Sequence, residues 1–194
     1  GQVYAIFLAV VYFAPLFGGM IADKIGYGKC VTIGFVTMFL GYLGLAIPTD
    51  ADTTGQVSMF AGLACVSLGT GLFKGNLQVL VGNLYDDPKY AERRIDAFSL
   101  FYMAINIGAM FAPSMAKWIT NVYLGQFGFV YDAANTNPEY LKALYGAYGL
   151  CFGVACVSLV VSAIIYFACR SWFKHADVTA KQAKEQEGNV EVLT

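Results

Sequence analysis

The sequence predicts an all-α, polytopic membrane protein, and three observations carry that expectation. Hydrophobic residues fill 58% of the 194 positions, 21 glycines come on top of these, and charged residues make up 13%. A soluble domain carries about twice that charge and far less apolar content, and a single core of this size cannot hide so much apolar surface from water. The apolar residues also fall into five runs, each near the ~20 residues that a helix needs to cross a ~30 Å hydrocarbon layer. Finally, the basic residues alternate from one loop to the next. The mean hydropathy is +0.58.

The first run, residues 3–22, meets no charge before Asp23. No basic segment precedes it and no small-residue cleavage site follows it, so it reads as a crossing and not as a signal peptide. The second run covers 30–48. The third, 57–85, is long enough to tilt or to project from the bilayer. The fourth and fifth cover 97–121 and 143–169. In lipid every backbone amide needs an internal partner, so all five are expected to be helices. Together residues 1–174 form a five-helix unit, and residues 175–194 a polar tail or linker. Five crossings, with Gly1 already close to a helix, suit a piece of a larger bundle that has at least one more helix in front.

The loops set a sidedness. Lys24 and Lys29 lie between the first two runs, Lys89, Arg93 and Arg94 between the third and fourth, and Arg170, Lys174, Lys181 and Lys184 after the fifth. The opposite side has Lys117 and Lys142 at the helix margins, with Asp50, Asp52, Asp132 and Glu139 in its loops. The excess of lysine and arginine places the first group, and the tail, in the cytoplasm of a cell (inner) membrane protein.

The remaining composition excludes several classes. A net charge of −1 favours no nucleic-acid partner. The five cysteines stand singly in apolar runs and the one histidine, His175, in the polar tail, so neither a disulfide framework nor a metal site is expected. No Ser/His/Asp or Cys/His constellation supports an enzyme.

Lys74 is the residue that least suits lipid. It lies ~16 Å from the Tyr85 end of its run and ~25 Å from the Val57 end, at 1.5 Å per residue. Neither distance suits a snorkelling side chain. An ammonium there costs ~2.5–3.5 kcal/mol, normally offset by a carboxylate or a watery cavity. Gly69, Gly71 and Gly75 surround it, the last two at a spacing that allows close helix approach. Asn106, in the fourth run, must face other helices or a substrate. Physics alone leaves interhelical glue and substrate contact equally open. Pro15 and Pro113 each remove a backbone bond from their helices.

At GGMIADKIGYGK, residues 18–29, the chain resembles the loop between the second and third helices of major facilitator transporters, with Gly18, Gly19, Asp23, Lys24, Gly26 and Lys29 in matching places. FSLFYMAINIGAM, residues 98–110, resembles the fifth-helix signature of the proton-dependent oligopeptide transporter family through Phe98, Phe101, Tyr102, Asn106 and Gly108. GLFKGN, 71–76, resembles that family's fourth-helix lysine segment. The chain departs from the family where Gly75 stands in place of a frequent proline. The resemblance implies helices two to six of a twelve-helix-type carrier, that is, most of the N-terminal six-helix bundle. It implies proton-coupled symport of small peptides, with protons as the coupling ion, no metal or organic cofactor, and the first helix and C-terminal half of the carrier as partners. Lys74 would pair with first-helix carboxylates and sense the peptide carboxylate or the proton. Asn106 would contact the peptide backbone or amino end, and Tyr12 the peptide or an ordered water. Asp23, Lys24 and Lys29 would belong to a cytoplasmic gate. A facilitator for another small solute, or a scaffold in which Lys74 only pairs structurally, are the alternatives.

Overall fold

The architecture follows from how five apolar helices find packing partners when hydrophobicity alone cannot choose between protein and lipid. The computed structural model describes residues 2–47, 53–177 and 179, with the side chains of Val3 and Tyr4 excepted. Asp50, Asp52, Lys181, Lys184 and nearly all of the expected polar tail lie outside the described residues. Five long helices make up the described chain: α1 (Gln2–Ile25), α2 (Tyr27–Ala46), α3 (Thr53–Asn83), α4 (Arg94–Gln126) and α5 (Pro138–Phe173). All five are long and apolar enough to cross a membrane.

The helices reach beyond most of the apolar runs. Asp23 and Lys24 belong to the last turn of α1 and Lys29 to the first turn of α2. The expected loop between them shrinks to Gly26, whose φ of 99° is open to glycine and strained for other residues. Charged residues continue a helix readily once its end is in water, so apolar content marks the span and not the helix end. At α5 the start is set by a local cap: the Asn137 side chain accepts from the Glu139 amide at 2.9 Å, with Pro138 in the first turn.

Helix α3 is the centre. It packs against α2 along most of its length and against α1 on another side. The α2–α3 crossing is antiparallel and made by glycines seven residues apart on each helix. A Cβ on Gly34 would lie 2.9 Å from the Gly69 carbonyl oxygen, and one on Gly41 2.9 Å from that of Gly62. Close backbone approach of this kind is how membrane helices gain dispersion energy that lipid cannot match. On the α1 side, Gly71 fits against Ala14, and Asn76 donates to the Gly18 carbonyl at 3.2 Å.

Helix α5 braces the rest. Toward its C-terminus Ala163, Tyr166 and Phe173 pack on Val31, Phe35 and Leu80 of α2 and α3. Toward its N-terminus Tyr140, Ala143 and Leu144 pack on Leu124 of α4. The Tyr140 hydroxyl accepts from the Asp132 amide at 2.8 Å and so ties down the α4–α5 loop.

The chain beyond α5 turns back under the bundle. Ala176 is buried, and its carbonyl accepts from Asn83 at 3.1 Å. The Asp177 carboxylate accepts from the Gly28 amide in the first turn of α2 at 2.7 Å. A side-chain oxygen on an orphan N-terminal amide contributes ~0.5–2 kcal/mol. Arg170 stands 4.0 Å from the same carboxylate but is half exposed, a geometry that adds little.

Candidate functional site

Lys74 and Tyr12 meet on one open face of the bundle. Both side chains are exposed, and the Lys74 ammonium lies over the Tyr12 ring, 5.8 Å from its centroid. At that distance the ring quadrupole attracts the cation. Among the described residues no carboxylate comes within 4.0 Å of Lys74. The charge is therefore held by an aromatic face and left open to a partner. Gly71 and Gly75 sit beside Lys74 because α1 crosses there: Gly71 abuts Ala14, and Gly75 would place a Cβ 3.4 Å from Pro15. Tyr12 reaches the lysine because α1 runs so close.

Asn106 stands on α4. It is exposed, in a groove along α4 lined also by Ser99, Tyr102, Met103, Ile107 and Met110. One hydrogen bond connects that groove to α3: Gln78 donates to the Tyr102 hydroxyl at 3.3 Å. Gln78 stands four residues after Lys74, and Asn106 four after Tyr102, so each pair shares a helix face. The Gln78–Tyr102 contact thus sets the lysine face and the asparagine face side by side. Gln78 is uncharged and stands between two other polar residues of the same helix, Asn76 and Asn83, so the sequence does not single it out. Its i+4 spacing from Lys74 was the available signal.

The signature residues of α4 divide. Phe101 and Tyr102 make an edge-on ring pair at 5.9 Å. Phe98 turns toward Gly82 of α3, where an added Cβ would lie 3.6 Å from its ring. A Cβ added at Gly108 would meet no other part of the protein within 4 Å. Its open surroundings match the exposed stretch of α4 on both sides of Asn106.

The gate-like segment lies at the other end of α1. Asp23 accepts from the Tyr27 hydroxyl at 2.9 Å, across the Gly26 turn. Lys24 and Lys29 are exposed, and among the described residues neither has a carboxylate within 4.0 Å. Gly18 is buried under α3, and Gly19 has open space beside it. The residue that sequence reasoning missed here is Asp177, which reaches the same turn from the end of the described chain. Among the described residues no cluster of His, Cys, Asp and Glu could hold a metal ion.

Five long apolar helices that carry a lysine and an amide within their spans suit part of a major facilitator bundle. The profile of the POT family, PTR2, matches residues 28–190, and the chain belongs to that family. It is 39% identical over 128 residues to the peptide transporter YePEPT of Yersinia enterocolitica, which covers 66% of this chain and 24% of that protein. It is 35% identical over 120 residues to a di-/tripeptide transporter of Lactobacillus helveticus, with 60% and 22% covered. The chain therefore spans about a quarter of the length of these curated relatives. Among solved structures, a crystal structure of tetrameric PepTSo2 matches with a TM-score of 0.72 and 25% identity, covering 98% of this chain and 37% of that one. The crystal structure of peptide transporter POT in complex with sulfate matches with a TM-score of 0.68 and 26% identity, covering 98% and 34%.

Proposed function

We propose that this chain is the helix-two-to-six part of a proton-coupled symporter of di- and tripeptides that works by alternating access. The observation that carries the reading is Lys74, held over Tyr12 with no carboxylate within 4.0 Å among the described residues, and one turn from Gln78, which bonds Tyr102 on the helix that carries Asn106. A peptide brings one carboxylate, one ammonium and a row of amide groups. Lys74 supplies the positive counter-charge, Asn106 both a donor and an acceptor for the backbone or the amino end, and Tyr12 an aromatic face with a hydroxyl. Carboxylates on the remaining helices of the carrier complete the set. When one of them takes a proton, it releases Lys74 to the peptide, and loss of that proton on the inner side reverses the exchange. Protons running down their gradient thereby draw peptide inward. No cofactor beyond the coupling proton enters this scheme.

The excess of basic residues supports a cytoplasmic side for the Gly26 turn, the α3–α4 loop and the end of α5 in a cell membrane. Asp23, Lys24 and Lys29 then belong to the gate on that side. The decisive experiment is uptake of a labelled dipeptide by the full-length protein in proteoliposomes under an imposed proton gradient. Uptake that stops with an uncoupler is expected. Uncoupler-insensitive uptake, or uptake of another solute with no peptide transport, would overturn the reading.

A further inference from the structure

Residues 174–177 contact three helices at once, and every contact is of a kind that fixes position. Ala176 is 2% exposed and packs in the cluster of Val31, Phe35 and Leu80. Its carbonyl is held by Asn83 of α3 at 3.1 Å. One residue on, the Asp177 carboxylate receives the Gly28 amide of α2 at 2.7 Å, a short, charge-assisted bond at a helix N-terminus. Its side chain is only 17% exposed. The receiving surface has no room for more: an added Cβ on Gly28 would run into the Asp177 carboxylate, and one on Gly26 would lie 3.5 Å from it. The two glycines that flank Tyr27 thus form a seat for a carboxylate delivered from 149 residues away.

From this seat we propose that Asp177 is a positioning residue for the α1–α2 turn. The segment after α5 acts as a strap that holds Gly26–Gly28, and with them Asp23 and Lys29, in one orientation against α3. Asp177 touches no substrate and acts through the turn. Its removal frees the first turn of α2 and leaves the Lys74–Tyr12 face in place. The turn's role in gating rests on the peptide-carrier reading above, whereas the strap itself does not.

Cys30 reports on the strap directly. It is fully buried, two residues after Gly28 in the first turn of α2. In the full-length protein in proteoliposomes, alkylation of Cys30 by N-ethylmaleimide is followed by mass spectrometry of its peptide. Slow labelling is expected in the wild type, at least tenfold faster labelling in Asp177→Ala, and labelling within about threefold of wild type in Asp177→Asn, which keeps an acceptor for the Gly28 amide. Gly28→Ala, which leaves Asp177 intact but fills its seat, should also speed labelling. If Asp177→Ala or Gly28→Ala labels at the wild-type rate, there is no strap. If Asp177→Asn labels as fast as Asp177→Ala, the effect is charge on the thiol and the proposal again falls.

Peptide uptake tests the gating half. Asp177→Ala should lower the maximal rate severalfold, leave half-saturation within about twofold, and be restored in large part by Asp177→Asn. An effect confined to half-saturation would overturn the positioning role. A wild-type protein that takes up no peptide sinks the carrier reading while the labelling result stands on its own.

Discussion

Helices α3 and α4 are nearly the same length, 31 and 33 residues, and both have polar residues in their middle. Their surroundings are opposite. Helix α3 is gripped by α1 and α2, whereas α4 leans mainly on α5 and barely meets α3. From Tyr102 to Trp118 every residue of α4 is exposed. Glycines show the contrast best. Gly62, Gly69 and Gly71 of α3 would each drive a Cβ into a neighbouring helix, while Gly108 and Gly125 of α4 have nothing within 4 Å. Within this part of the bundle, apolar content therefore does not decide which helix packs most closely on its neighbours. Small residues in register do, because lipid offers the same hydrophobic environment and only close packing adds to it.

The sharpest way to break this contrast is Gly69→Leu. A Cβ there already lies 2.6 Å from Met38 and 2.9 Å from the Gly34 carbonyl, so the larger side chain should separate α2 from α3. The expected cost is ~3 kcal/mol, at the upper end of ordinary overpacking, and it is read as loss of monodisperse protein in detergent. The matching change on α4, Gly108→Ala, should stay within ~0.5 kcal/mol of the parent in thermal unfolding.

Lys74→Ala comes next and separates function from packing. The removed charge carries a burden of ~2.5–3.5 kcal/mol in lipid, so the variant should fold at least as well as its parent. Proton-driven peptide uptake in the full-length protein should fall by about 100-fold, equivalent to ~2.7 kcal/mol. Asn106→Ala should raise half-saturation for peptide by about fivefold, near the ~1 kcal/mol of one hydrogen bond, with thermal stability unchanged. A stability loss with unchanged half-saturation would make Asn106 interhelical glue. The smallest change is Tyr102→Phe, which takes from Gln78 its acceptor on α4. Bonds of this kind average ~0.6 kcal/mol in a membrane protein, so a small drop in melting temperature is expected.

What the sequence disclosed depended on whether the signal was local. The five spans were readable because an apolar run of a given length is its own evidence. Their ends were not, because Asp23, Lys24 and Arg94 continue helices that have left the apolar layer. Lys74 stood out as a charge inside such a run, and Asn106 as an amide. Tyr12 could be found only through family resemblance, since nothing distinguishes it among 13 tyrosines until α1 is seen crossing α3 at Gly71. The pairing of Gly34 with Gly69 was hidden for a similar reason: 21 glycines offer many spacings, and only the fold selects one. Asp177 had no local signal at all, because its partner lies 149 residues earlier.

That separation has a consequence for how the protein is made. A ribosome adding ~5–20 residues per second needs roughly 7–30 s to travel from Gly28 to Asp177. During that interval α2 has been synthesised, yet the carboxylate that meets its first turn does not exist. The insertion machinery therefore handles a bundle whose basic end is unlatched until the fifth helix has emerged. Chains that stop or stall between those two points would lack the carboxylate that meets the Gly28 amide.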